Sequence, residues 1–228
     1  MSLPLVVLRP EPGLAETVAR AHAMGLEVVG APLFEIEPVN WQVPDVSRFD
    51  AIAAGSANSF RHGGKGLEAL KGLPVHAVGE RTAQAARSAG FEVASVGDSV
   101  LQDVVDSLDA PIRLLRLAGE NRVSLRAPAG VTIEELVIYR AVPQPLSTGV
   151  AAALQRGAVA LLHSGEAARH FAAECDRLAI DRGRVAIAAL APRIATAAGA
   201  GWRTVATAAE PNDAALLVIA AQLCQTAA

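Results

Sequence analysis

Aromatic side chains make up only 4% of this chain: five phenylalanines, two tryptophans and one tyrosine, Tyr139. Its cores must therefore be aliphatic, and a tyrosine used once marks its position. Cysteine is as scarce. Cys175 and Cys224 lie far apart, with no Cys-x-x-Cys and no histidine pair nearby, so neither a disulfide framework nor a zinc site is supported. Charge is low and nearly balanced: 19% of residues are charged and the net charge is −3, which argues against an extended nucleic-acid surface but leaves room for a local basic pocket. No apolar run reaches the ~18 residues of a membrane span, and no basic segment precedes Leu3-Pro4-Leu5-Val6-Val7-Leu8. A cytoplasmic, monomeric protein that meets neither membrane nor nucleic acid is expected.

Signature motifs are missing as well. No Gly-x-Gly-x-x-Gly joins a strand to a helix, and no Gly-x-x-x-x-Gly-Lys-Ser/Thr occurs, so a nucleotide site is disfavoured. Ser56 and Ser164 lack the Gly-x-Ser-x-Gly elbow of an α/β-hydrolase. No carboxylate pair is placed for acid–base work. His62, His163 and His170 have no partner spacing that implies a metal, and a loop or helix-face histidine is the plainer reading of each.

What is present is an alternation of short apolar runs with helical segments. Leu5–Leu8 reads as a buried strand, followed by a helix from about Glu11 to Met24 that carries Leu14, Val18 and Ala21 on one face and stops at Gly25. Leu26–Val29, Phe49–Ala54, Val75–Val78 and Phe91–Val96 are the next strands. The helix after Ser56-Ala57-Asn58-Ser59 is expected to be short or broken, because Gly63-Gly64-Lys65-Gly66 weakens it. Helices are expected up to about Ala89 and over Val100–Leu108, the latter capped by Ser99. Ile112–Leu117 begins the order again. Gly119-Glu120-Asn121-Arg122 is expected to lead into a short helix, and Val131–Tyr139 into a strand. Ala158–Leu162, Val185–Leu190 and Trp202–Ala206 complete the strands. Helices follow Ala191-Pro192-Arg193-Ile194, ending near Gly199 or Gly201, and over Ala214–Leu223.

The order contains a repeat. With Gly25 set over Gly130, Phe34 falls on Tyr139 and Pro38 on Pro143; further along, Ser56 matches Ser164, Arg81 matches Arg193, and Thr82 matches Ile194. Alternating strands and helices imply parallel sheets. The expected fold is α/β, with two similar domains, each a parallel sheet flanked by helices, joined by a two-stranded linker. Ligand chemistry belongs at the carboxyl ends of such strands, where helix N-termini and arginine forks bind anions. The loops there carry Arg9, Ser56, Ala57, Asn58, Gly79, Arg81, Thr82, Gly119, Arg122, Ser164 and Arg193, which become candidate substrate-binding residues. Tyr139 stands at the second linker strand. Each also has a plainer reading: the Ser and Thr as helix caps, the arginines as surface charges, Tyr139 as a core residue.

Leu8-Arg9-Pro10, Ser56-Ala57-Asn58, Val78-Gly79-Glu80-Arg81-Thr82-Ala83, Leu117-Ala118-Gly119-Glu120-Asn121-Arg122, Val137-Ile138-Tyr139 and Ala191-Pro192-Arg193 occur here in the order found in uroporphyrinogen-III synthases. The chain resembles that family over nearly its whole length. The resemblance implies an enzyme without cofactor or metal that takes hydroxymethylbilane, a linear tetrapyrrole with eight carboxylates, and closes it with loss of water and inversion of the last ring. It also implies one discontinuous domain of 1–34 with 144–228, a second of 40–138, and linker strands at 35–39 and 139–143. Tyr139 matches the tyrosine that assists departure of the hydroxyl, and Thr82 a threonine in a substrate-facing loop. Three departures fall in the second half: Ile194 stands where a threonine is usual, Ala191 where a glycine is usual, and His163-Ser164-Gly165 where Thr-Ser-Pro is typical. A non-enzymatic two-domain protein closing on an anionic small molecule would have the same loops, and turnover separates the two. A sugar-nucleotide transferase is a weaker third reading, since no acidic or Gly-rich nucleotide loop is present.

Overall fold

The computed structural model describes residues 2–225. The chain forms two compact units, one from the described residues up to Glu35 and from Pro143 onward, the other from Ile36–Val142.

In the first unit, β1 (Leu5–Val7) leads into α1 (Gly13–Ala23) and β2 (Val28–Gly30). After the excursion through the second unit, α5 (Thr148–Arg156), β9 (Ala158–Leu162), α6 (Gly165–Arg177), β10 (Val185–Ala189), α7 (Pro192–Ala198), β11 (Thr204–Thr207) and α8 (Asp213–Gln225) complete it. The five strands run parallel in the order β11-β10-β9-β1-β2. Leu5, Val7, Leu161 and Ala188 pack with Leu216, Leu217 and Ala220 of α8, while every residue of β9 and β10 is buried. Central parallel strands covered on both faces read as unbroken apolar runs, which is why their sequences do not alternate.

Glu174 on α6 is a buried carboxylate in this unit, 7% exposed. It accepts the Leu146 N–H at 2.8 Å and both forks of Arg177, at 2.7 and 2.8 Å. The Arg177 hydrogen bonds, opposed by burial and helped by Leu146, hold its carboxyl down at about 2. A depressed folded-state value stabilises above the unfolded value of ~4.3 and ceases to do so as pH falls through about 2. Arg177 is more than half exposed, which discounts the ion pair. Glu174→Gln is therefore expected to cost roughly 2 kcal/mol at pH 7. Urea denaturation at pH 7 and pH 3 checks this: the difference from wild type should shrink on acidification, and an equal difference at both would contradict the charge argument.

The second unit contains β4 (Ala51–Ala54), α2 (Asn58–His62), β5 (Val75–Val78), α3 (Glu80–Ser88), β6 (Val93–Gly97), α4 (Leu101–Asp106), β7 (Ile112–Gly119) and the long β8 (Val131–Pro143). β3 (Phe34–Pro38) lies at its edge, giving the order β3-β8-β7-β4-β5-β6, and β8, β7, β4, β5 and β6 are parallel. β4 shows how the layers form. Ile52 and Ala54 pack with Phe60, Phe91 and Leu115, while Ala51 and Ala53 point the other way, against Leu101, Val104 and Leu114. Side chains alternate across a strand, so one four-residue run feeds two cores.

The two units share one strand order: β2-β1-β9-β10-β11 of the first corresponds to β8-β7-β4-β5-β6 of the second. The sequence repeat is thus a repeat of topology. It also locates a difference. α1 joins β1 to β2, but no helix joins β7 to β8, and the short helix expected after Arg122 does not form. Pro128 disfavours helix for the residue before it. The segment is held instead by Gln102, whose side chain donates to the Arg126 carbonyl and accepts the Arg126 N–H. Ser99 does not cap α4 either; the cap position is Val100, which makes no side-chain cap bond. The weakened α2 does stop at His62, and the glycine-rich stretch gives way to a 3-10 turn at Lys65–Leu70.

Candidate functional site

Strands β4, β5, β6 and β7 of the second unit all end on one side of the sheet. Their loops, with the start of α4, the 121–125 segment and Tyr139 of β8, enclose a cleft of about 440 Å³. Ligands of open α/β sheets bind at such carboxyl ends.

Tyr139 is placed there by an irregularity. β7 and β8 run in register from Ile112↔Val131 to Ala118↔Val137, then slip, so that Gly119 faces Tyr139. A slip of this kind re-aims the side chain beyond it. Ile138 stays fully buried in the core, and the Tyr139 ring lies across Gly119. A Cβ on Gly119 would stand 2.6 Å from Tyr139 Cε2 and 2.7 Å from Cζ, so only glycine admits the ring in this place. The Tyr139 carbonyl accepts the Glu120 N–H at 2.9 Å, fixing the backbone beside it.

Two cations border the same cleft. Arg116 of β7 is 6% exposed and donates to Glu135, its register partner on β8. Arg122 gives its Nε–H to the other oxygen of Glu135 at 2.6 Å and an Nη1–H to the Glu120 carbonyl. Partial burial pushes the Glu135 carboxyl up, but the Arg122 hydrogen bond and the Arg116 charge outweigh it and hold the group below the usual carboxylate range. Two guanidinium groups share one carboxylate, so the cluster carries a net positive charge.

Of the residues proposed from sequence, Ser56, Gly119, Arg122 and Tyr139 come together around this cleft. Ser56 Oγ also accepts the Asn58 N–H at 3.2 Å, tightening the turn in which Ala57 precedes α2. Gly79 heads α3 at φ +73, a conformation L side chains rarely adopt, and its N–H reaches the Gly97 carbonyl. Arg81 lines a different groove of about 550 Å³ with Phe60, Glu80 and Gln84. Thr82 is 4% exposed.

Arg9, Ser164 and Arg193 belong to the first unit. Arg9 Nη1 donates to Asp213 Oδ1 at 3.1 Å and to Thr17 Oγ1 at 3.2 Å. Asp213 also accepts Thr17 Oγ1–H, Arg20 Nη1–H at 3.1 Å and His163 Nε2–H at 2.9 Å. Burial opposes ionisation of Asp213, but the His163 and Thr17 hydrogen bonds and the nearby cations bring it to about 2. Ser164 caps α6 through the Ala167 N–H, Arg193 is exposed on α7, and Ile194 is 2% exposed. Ile194 and its sequence match Thr82 are thus both buried positions near the start of a helix.

Arg116 ends its apolar run in the sequence as Arg9 ends the first, a match that marks both, whereas Glu135 and Asp213 were not proposed from sequence. A signal for Glu135 existed as well: a charge inside an otherwise apolar strand is expensive unless paired. Asp213 had no comparable signal, since an acidic residue at a helix start is commonplace.

By class, this is a two-unit α/β protein with a cleft at the strand ends of its second unit, bordered by Arg116 and Arg122. A family model for Uroporphyrinogen-III synthase HemD matches residues 15–218. Among solved structures, uroporphyrinogen-III synthetase from Helicobacter pylori 26695 aligns with a TM-score of 0.67 at 16% identity, covering 97% of this chain and 99% of that one. A mutant uroporphyrinogen III synthase from the extremely thermophilic bacterium Thermus thermophilus aligns with a TM-score of 0.56 at 18% identity, over 98% and 99%. These structural likenesses carry the fold. No curated protein matches in a direct sequence comparison. The family match spans most of the chain, and the chain belongs to the uroporphyrinogen-III synthase family.

Proposed function

We propose that this chain is a uroporphyrinogen-III synthase, closing hydroxymethylbilane to uroporphyrinogen III. The observation that supports this most, beside the family match, is the only tyrosine set by a strand slip over Gly119 in a cleft bordered by Arg116 and Arg122.

In the reaction, the C–O bond of the hydroxymethyl group breaks and water departs. The cation left behind is stabilised by the pyrrole nitrogen, so a neutral hydrogen-bond donor is acid enough. The phenol of Tyr139 supplies that donor. The last ring then attacks through its substituted carbon, and the bridge bond already on that carbon breaks and re-forms at the ring's free carbon. The proton lost there balances the one that left in water, and choosing the substituted carbon is a matter of orientation. Arg122 and Ser56 hold carboxylates in the cleft. Arg9, Ala57, Asn58, Gly79, Arg81, Thr82, Gly119, Ser164 and Arg193 are the further proposed contacts, with backbone N–H groups serving where the side chain is absent. Arg9 and Arg122 already carry carboxylate partners, so each would add a substrate oxygen to an existing pair.

Thr82 offers a limited test. Thr82→Val keeps the buried volume and removes the hydroxyl. If that hydroxyl bonds substrate, kcat/KM should fall about tenfold, the worth of roughly 1.5 kcal/mol. Unchanged steady-state kinetics would make Thr82 a packing residue, as Ile194 is. For the function itself, the test is consumption of freshly prepared hydroxymethylbilane at a rate linear in protein concentration and above the spontaneous rate. A protein that binds the substrate without accelerating its loss would instead fit the non-enzymatic reading.

A further inference from the structure

We propose that the cleft of the second unit is a seat for one pyrrole ring of the substrate, and that Arg116 is a specificity residue gripping that ring's carboxylate. This rests on the reading of the chain as a uroporphyrinogen-III synthase and assigns part of that substrate to a place. At about 440 Å³ the cleft lies near the small end of ligand pockets, ~300–1,000 Å³. That is room for one substituted five-membered ring with its acid arms, and too little for four linked rings.

The lining suits such a ring in two respects. Arg116 is 6% exposed yet borders the cleft, and among the described residues it makes one side-chain hydrogen bond, from Nη1 to Glu135. A guanidinium has five N–H donors. A buried cation with donors to spare, facing a cavity, is costly unless an anion completes it. Glu135 is already shared with Arg122, so the pair lacks one negative charge, which a single ligand carboxylate supplies. Part of the lining is apolar. Val100 and Val123 border the cleft and are 54% and 81% exposed, among the most exposed large hydrophobic residues described. Two exposed valines in the same lining as a buried arginine fit a flat ring with an acidic arm better than a fully polar anion.

The probe is porphobilinogen, a single pyrrole with one acetate arm, one propionate arm and one aminomethyl group, net negative at pH 7, titrated into the full chain by calorimetry and followed by backbone amide shifts. Saturable one-site binding is expected, with Kd on the order of 0.1–1 mM for a ligand this size. Shifts should centre on Val100, Val123 and Tyr139. Pyrrole without acid arms, and glutarate without the ring, should bind at least tenfold more weakly. Arg116→Gln should weaken porphobilinogen binding by about ten- to a hundredfold, the range for a charge-assisted hydrogen bond. Since removing a buried arginine risks the fold, Val123→Asp serves as the second variant. Its site is exposed, folding should be untouched, and the added charge should repel the carboxylate and cost about tenfold or more.

Binding lost in both variants supports the seat. Binding unchanged in Val123→Asp, or no saturable binding by wild type, overturns it. The cyclisation assay keeps the two readings apart. A wild type that cyclises hydroxymethylbilane but binds no porphobilinogen removes the seat and leaves the function. One that binds porphobilinogen but does not cyclise removes the function and leaves the seat.

Discussion

Tyr139→Phe should lower kcat about a hundredfold and leave the fold intact. The substitution removes one oxygen and keeps the ring that lies across Gly119. Phe34, which the sequence repeat sets against Tyr139, lies on β3 and not on β2, the counterpart of β8, so the expectation rests on the retained ring alone. Tyr139 is only partly buried and lines the open cleft, so removing that oxygen should change stability by less than ~1 kcal/mol. A positioned proton donor contributes ~10²–10⁴-fold. The leaving hydroxyl here departs from an activated pyrrole, which places the effect at the lower end. The residual product should remain largely isomer III, because orientation comes from the carboxylate contacts. Stopped-time turnover with isomer separation measures both quantities. Full turnover would make Tyr139 a packing residue, and a fall of many degrees in Tm would remove any catalytic meaning from lost activity.

Gly119→Ala should be nearly as damaging, by displacement rather than deletion. The new methyl would sit 2.6 Å from Cε2 of Tyr139, against the ~3.5–4.0 Å that carbon atoms tolerate, so the ring must move by about 1 Å. A misplacement of that size costs up to ~10²-fold when position is what the group supplies. Overpacking adds roughly 1–3 kcal/mol of instability. The cause can be isolated with a double variant. Phenylalanine keeps the clash but has no hydroxyl to misplace, so Gly119→Ala should cost little further activity in the Tyr139→Phe background. Equal losses in both backgrounds would mean that Gly119 acts by some route other than Tyr139.

Much of this was legible in the chain. The unbroken runs at Ala158–Leu162 and Val185–Ala189 could only be buried strands, and the Gly63-Gly64 pair did cut α2 short. The alignment of Gly25 with Gly130 found the two units, because β2 and β8 hold the same place in matching sheets. Where the reading failed, tertiary contacts had replaced local signals. The segment after Gly119 looked like a helix start but is shaped by Gln102 from another element. α5 went unassigned although Val150, Ala153 and Leu154 follow helical spacing, since the run is short and its Ser147 cap is one serine among many.

The site was legible in kind and partial in detail. Tyr139, Gly119, Ser56 and Arg122 converge, yet nothing in the sequence announces the slip between Ala118 and Gly119 that brings Tyr139 over the glycine. Nor does it show that Arg116 and Arg122 share Glu135. That follows from a parallel register set by the whole of β7 and β8.

The most direct test is the isomer composition of the product. Freshly made hydroxymethylbilane is incubated with the protein, the porphyrinogens are oxidised, and the two isomers are separated. Ring inversion under the control of the site predicts isomer III as the dominant product, formed in proportion to protein concentration. Isomer I alone, appearing at the rate seen without protein, would contradict it.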